Sequence, residues 1–120
     1  MYNLPKFRAF IIAEKRTEEV VAINFKDNHI TTSFGDNYVT MHMDNFILMQ
    51  STGLTDVNGK EIFESDLISF ENGSGLLHEI VWDNEKLYWA WNKTIKGNFV
   101  KNMKVKIIGN VYEHHELVGK

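Results

Sequence analysis

Leu48-Met-Gln-Ser-Thr-Gly-Leu-Thr-Asp-Val-Asn-Gly-Lys-Glu-Ile-Phe-Glu-Ser-Asp-Leu-Ile68 constrains backbone geometry at nearly every position. Asn58-Gly59 favours positive φ and so predicts a tight turn between Gly53-Leu54 and Ile62-Phe63. Glu64-Ser65-Asp66 predicts a second turn, which delivers the chain into Leu67-Ile68. The stretch also holds four acids, Asp56, Glu61, Glu64 and Asp66. An acid/base pair needs two carboxyls facing each other across a pocket that perturbs one of them. Beside turn residues, carboxylates instead accept backbone N–H groups. The expectation is therefore structural, with Asp66 capping buried amides.

The same short-strand reading extends in both directions. Lys6–Ile12, Val20–Phe25, His29–Phe34 and Tyr38–Met43 read as strands, with turns at Glu14–Glu18, Lys26–Asn28 and Gly35–Asn37. Alternation places Tyr38, Thr40 and His42 on one face and Val39, Met41 and Met43 on the other. A competing reading makes Asp36–Gln50 a helix capped by Asp36, but Tyr-Val-Thr is a poor first turn. Downstream, Ile68–Glu71, His78–Trp82, Leu87–Trp91, Phe99–Lys101 and Lys104–Ile108 read as strands. Asp83–Lys86 is a hairpin loop and Gly109-Asn110 a bulge or break. Glu113–Val118 reads as a short helix or a tail. The fold class expected is mainly β: an N-terminal β-meander (residues 1–50) packed on a C-terminal SH3-like small barrel (51–120), with at most short helices.

Bulk properties exclude several classes. A length of 120 residues suits one domain. With 43% hydrophobic and 12% aromatic residues, the chain has enough apolar side chains to build a core. No apolar run is long enough for a membrane-spanning helix, and Met1–Arg8 lacks the apolar centre of a signal peptide, so a cytoplasmic protein is expected. Without cysteine there is no disulfide framework, thiolate metal site or thiol nucleophile. A net charge of −3 argues against a globally electrostatic nucleic-acid binder. The charge is unevenly placed, however: Lys86 to Tyr112 contains lysines and no acid.

That basic stretch is the one place where function is expected to show. Trp82, Tyr88, Trp89 and Trp91 lie on adjacent hairpin strands, followed by Lys93, Lys96, Lys101, Lys104 and Lys106. Aromatic side chains beside lysines stack and track single-stranded nucleic acid. The plainer reading buries the Leu87, Trp89 and Trp91 face in a small core and turns Lys104 and Lys106 outward. The five histidines, His29, His42, His78, His114 and His115, follow no metal-ligand motif. Met41, Met43 and Met49 read as core filler, and Gly73 and Gly75 as turn residues.

Gly53 to Ile68, preceded by Leu48-Met-Gln50, resembles the YopX-like family of phage and prophage proteins. Lys6-Phe-Arg-Ala9, Val81-Trp-Asp83, Ile108-Gly-Asn-Val-Tyr-Glu113 and Glu116-Leu117 match that family's further landmarks in order. The resemblance runs from about Lys6 to Leu117 and implies one family domain over 1–120. Two departures stand out: the family usually reads Glu-Gly-Asp where this chain has Glu64-Ser65-Asp66, and tryptophan where it has Phe10. Val20–Asn45 matches little. The resemblance implies a mostly β protein encoded by a phage or prophage and working in the bacterial cytoplasm. It implies no reaction and no catalytic residue.

The expectation is a non-enzymatic β-rich interaction module, without catalytic residues, cofactor or metal. Its partner would be a host or phage protein or a second copy of itself, with Tyr88, Trp89, Trp91, Lys93, Lys96, Lys101, Lys104 and Lys106 as the partner-binding face. Nucleic-acid binding through that face is the alternative. Catalysis by the acids near Asp66 is a third reading.

Overall fold

The computed structural model describes residues 6–70, 77–83, 88–90, 104–114 and 116. They form two compact units, Met1–Gln50 and Ser51–Lys120. Both are built from antiparallel strands, and the helical content of the described residues is confined to short 3-10 segments.

In the first unit β1 (Phe7–Ile11), β2 (Arg16–Asn24), β3 (His29–Phe34) and β4 (Asn37–His42) form a meander. The start of β5 (Phe46–Thr55) adds to the other side of β1, giving the order β4-β3-β2-β1-β5. Local chemistry sets each turn. Gly35 takes φ +59° in the two-residue β3–β4 turn, and Asn28 takes φ +58° before β3. Asn24 and Asp27 brace the β2–β3 turn by side-chain hydrogen bonds. The strand reading of 36–50 holds, with one 3-10 turn at Met43–Asn45 in place of a helix.

The core of this unit is Ala9, Ile11 and Ile30, with Val20, Ile23, Met41, Phe46 and Leu48 packed against it. Val20 and Ile23 lie three residues apart, which on a regular strand would send them to opposite faces. A register shift between Val20 and Ala22 makes Val21 the extra residue, so Val20 and Ile23 both pack on the core while Val21 is exposed. β2 also begins earlier than its polar sequence suggests. Arg16 and Glu18 share one face of the strand and pair at 2.9 Å, which accommodates a segment expected to be a turn. Met43 is not core filler: it sits in the 3-10 turn, 51% exposed.

In the second unit, the end of β5 pairs with β6 (Glu61–Phe63). A three-stranded sheet has the order β11-β7-β8, from β11 (Val105–Asn110), β7 (Asp66–Phe70) and β8 (His78–Glu79). β9 (Val81–Asp83) pairs with β10 (Tyr88–Ala90). Ile62, Ile68, Ile80 and Val105 are its buried centre, with Leu54, Phe70 and Ile107 against them. Burying such a side chain contributes about 1.5–3 kcal/mol.

The expected closed barrel does not form among the described residues. The chain pairs with β7 only as far as Ile80, whose N–H donates to Asp66 O and whose carbonyl accepts from Ser65 N–H. β7 begins there, at the Glu64-Ser65 turn, so the next residues pair with β10 instead. The strand expected at Phe99–Lys101 and the turn at Gly73 and Gly75 lie outside the described residues. The bulge expected at Gly109-Asn110 is present as a register shift between Ile107 and Gly109.

Candidate functional site

The acids of the Leu48–Ile68 stretch were the obvious place to look for chemistry, and the structure gives two of them other work. Asp56 closes the β5–β6 hairpin. Gly59 N–H donates to Asp56 O at 3.0 Å and Asp56 N–H to Lys60 O at 2.8 Å, with Gly59 at φ +81°. The loop is therefore three residues long, with one left-handed position at its end and a regular φ at Asn58. Asp56 Oδ1 accepts from Asn58 N–H and Lys60 N–H, each at 2.9 Å, and Oδ2 from Ile107 N–H at 3.1 Å. The side chain is buried, with the residue 7% exposed. Burial pushes its pKa up, but the N–H groups of Ile107, Lys60 and Asn58 and the Lys60 charge outweigh that and hold it below 3.8.

Asp66, 1% exposed, accepts Phe63 N–H at 2.8 Å across the β6–β7 turn, as its position in sequence suggested. Glu61 accepts the Ser51 hydroxyl from the facing strand. That contact belongs to a second local device. Gly53 lies at φ +81° inside β5, and the register slips between Ser51 and Thr55. The hydroxyls of Ser51 and Thr52 accept the N–H groups of Gly53 and Leu54, at 3.0 and 3.1 Å. Thr52 also donates to Ile62 O at 2.7 Å, standing in for a ladder bond.

The histidines are dispersed. His29 and His42 are cross-strand partners with ring centroids 5.5 Å apart, edge to face. His78 lies 5.3 Å from the Phe70 ring. His114 Nδ1 accepts Asn110 N–H at 3.2 Å, which places the ring hydrogen of the neutral imidazole on Nε2. The Asn110 side chain in turn accepts from Tyr112 and Glu113 N–H and donates to Glu113. His115 lies outside the described residues. Among the described residues no three His, Asp or Glu side chains come together as a metal site.

Of the aromatic and basic set, Tyr88 and Trp89 stand on β10, where Trp89 is the backbone partner of Trp82 and Tyr88 of Asp83. Lys104 and Lys106 are exposed, with Val105 buried and Ile107 half-buried between and beyond them, so these lysines do turn outward. Trp91, Lys93, Lys96 and Lys101 lie outside the described residues.

The feature missed by sequence reasoning is on the first unit. Phe25 is 79% and Tyr38 72% exposed, and Val21, Val39 and Met43 are exposed too. Strand alternation showed Tyr38 and Val39 facing opposite ways. It gave no sign that β4 ends the strand order or that side chains on both of its faces are exposed.

No helix among the described residues is long and apolar enough to cross a membrane. The model of the YopX protein family matches residues 6–119. Among solved structures, protein EF1440 from Enterococcus faecalis has a similar fold, with a TM-score of 0.65 and 24% identity over 98% of this chain and 99% of that one. No curated protein matches.

Proposed function

Because the chain belongs to the YopX protein family, we propose that it is a non-enzymatic β-rich interaction module, encoded by a phage or prophage and acting on a protein partner in the bacterial cytoplasm. One contrast carries this reading. Asp56 and Asp66, the buried acids of the most information-rich stretch, are engaged by backbone amides, whereas large apolar side chains at Phe25, Tyr38 and Met43 remain in solvent. Buried carboxylates held this way fix turns, and exposed apolar side chains are available for contact. The test is capture from infected host lysate on tagged protein, with and without nuclease, comparing wild type with Phe25→Glu and Tyr38→Glu. Nuclease-resistant capture that either variant abolishes is the expected result. Capture lost on nuclease treatment would replace the reading.

The second reading is nucleic-acid binding by the Tyr88–Lys106 face, and the observation favouring it is the outward pair Lys104 and Lys106. Binding of a labelled single strand that weakens steeply with salt is its signature. No binding at low salt removes it.

A further inference from the structure

β4 ends the strand order of the first unit, and among the described residues no strand pairs along its outer side. Edge strands are usually protected by charge, proline or a bulge. Asn37-Tyr-Val-Thr-Met-His42 contains neither charged residue nor proline, and its six residues pair with β3 without a register shift. Which of its main-chain groups are unpaired follows from one hydrogen bond. Met43 N–H donates to Asn28 O at 2.9 Å, which makes 28 and 43 a hydrogen-bonded pair. Antiparallel pairs alternate, so Ile30/Met41, Thr32/Val39 and Phe34/Asn37 are hydrogen-bonded as well. The N–H and C=O groups of Tyr38, Thr40 and His42 therefore point away from β3.

We propose that β4 is a dimerisation edge, pairing antiparallel with β4 of a second copy about a two-fold axis through Val39. This rests on the interaction-module reading and names its partner. The register follows from parity and charge. Overlapping all six residues would set Tyr38 opposite the partner subunit's Met41, matching an outward-pointing residue to an inward-pointing one. An axis through Val39 or Thr40 keeps outward residues opposite outward residues and overlaps five. Beyond the strand ends, the Thr40 axis brings the turn residue Asp36 toward the partner subunit's Asp44, two like charges. The Val39 axis brings Asp36 toward the partner subunit's His42, a carboxylate against an imidazole; within each subunit His42 Nδ1 accepts the Asp44 N–H, which leaves Nε2 for that contact. The same axis sets Tyr38 opposite the partner subunit's Thr40, with hydrogen bonds in both directions. Val39 then meets the partner subunit's Val39 in the closer, non-hydrogen-bonded kind of pair. Exposed Tyr38 and Val39 are thereby covered.

Sedimentation equilibrium on the full chain tests this, with far-UV circular dichroism to confirm that each variant is folded. Wild type is expected at twice the 14.0 kDa chain mass. Thr40→Pro removes an outward N–H that β3 does not use, and Val39→Lys puts two ammonium groups face to face. Each is expected to raise the dimer dissociation constant by about tenfold or more. His42→Asp weakens the dimer, and the pair Asp36→Lys with His42→Asp restores it. A wild-type monomer at every concentration overturns the proposal, and if that monomer still captures a host protein the module reading stands alone. A dimer indifferent to both Thr40→Pro and Val39→Lys overturns it too, and failure of the charge exchange to rescue overturns the Val39 axis.

Discussion

The Asp56 carboxylate accepts the main-chain amide of Ile107 at 3.1 Å, tying the β5–β6 turn to β11 across 51 positions of sequence. Val57 N–H, next along the chain, donates to Val105 O at 2.9 Å. The turn is thus fastened to β11 by two bonds, of which only the first depends on a side chain.

Asp56→Ala leaves three amides without their acceptor and is expected to lower unfolding free energy by about 3 kcal/mol. Asp56→Asn keeps one acceptor oxygen and costs about half as much. Urea unfolding at neutral pH measures both. A loss below about 0.5 kcal/mol for the alanine variant would show that the carboxylate holds nothing.

The same group makes stability pH-dependent. Its pKa is lower in the folded protein than the 3.8 of an ordinary aspartate, so between those values the unfolded chain binds a proton that the folded chain does not. The contribution is complete above 3.8, declines as pH falls, and is gone below the folded value. Urea midpoints at about pH 6 and about pH 3 are expected to differ more in wild type than in Asp56→Asn. Equal differences would contradict the assignment.

Asp66→Ala is expected to cost about 1–2 kcal/mol by orphaning the Phe63 amide at a buried turn. Unchanged thermal unfolding would refute this.

Ser65 occupies φ +73°, a left-handed conformation that side chains disfavour. It is held there from both sides: its N–H donates to Ile80 O and its carbonyl accepts from Val111 N–H. The departure from Glu-Gly-Asp therefore carries a cost, since glycine takes this conformation without a Cβ penalty and serine does not. Ser65→Gly is expected to stabilise by about 0.5–1 kcal/mol. A fall in melting temperature would show that the serine side chain compensates its own strain.

A Cβ added at Gly109 would stand 2.5 Å from His114 Nδ1, the atom that accepts Asn110 N–H. Gly109→Ala is expected to cost about 2 kcal/mol, and much less once His114→Ala has removed the ring. Additive losses in that double-mutant cycle would place the strain elsewhere.

Turn chemistry was legible because it is local. Gly35, Asn28, Gly59 and the Gly109 bulge follow from residues within a few positions of one another. Gly53-Leu54 reads from sequence only as a flank of the Asn58-Gly59 turn, and nothing local announces the positive φ that Gly53 itself takes. Here the hydroxyls of Ser51 and Thr52 cover the displaced amides, and β5 runs on to Thr55. Arg16–Glu18 misled by its polarity, since same-face ion pairing is not a pattern of hydrophobicity. Strand order was out of reach. That β4 is an edge, and that Asp56 meets Ile107, both depend on partners far away in sequence. Within the aromatic and basic set, the outward direction of Lys104 and Lys106 was legible, because alternation with apolar neighbours decides it.

β7 is the central strand of its sheet, and its sequence neighbours supply only part of its support. Ile68 pairs with His78 on one side and with Ile107 on the other. During synthesis the first flank becomes available about ten residues later, the second nearly forty. Leu67 and Ile68 must therefore wait with one ladder open while the meander of residues 7–42, all neighbouring hairpins, is already complete. A ribosome stalled before residue 105 would hold a chain in which Leu67, Ile68 and Phe70 stand on a strand unpaired along one side, a template for aggregation.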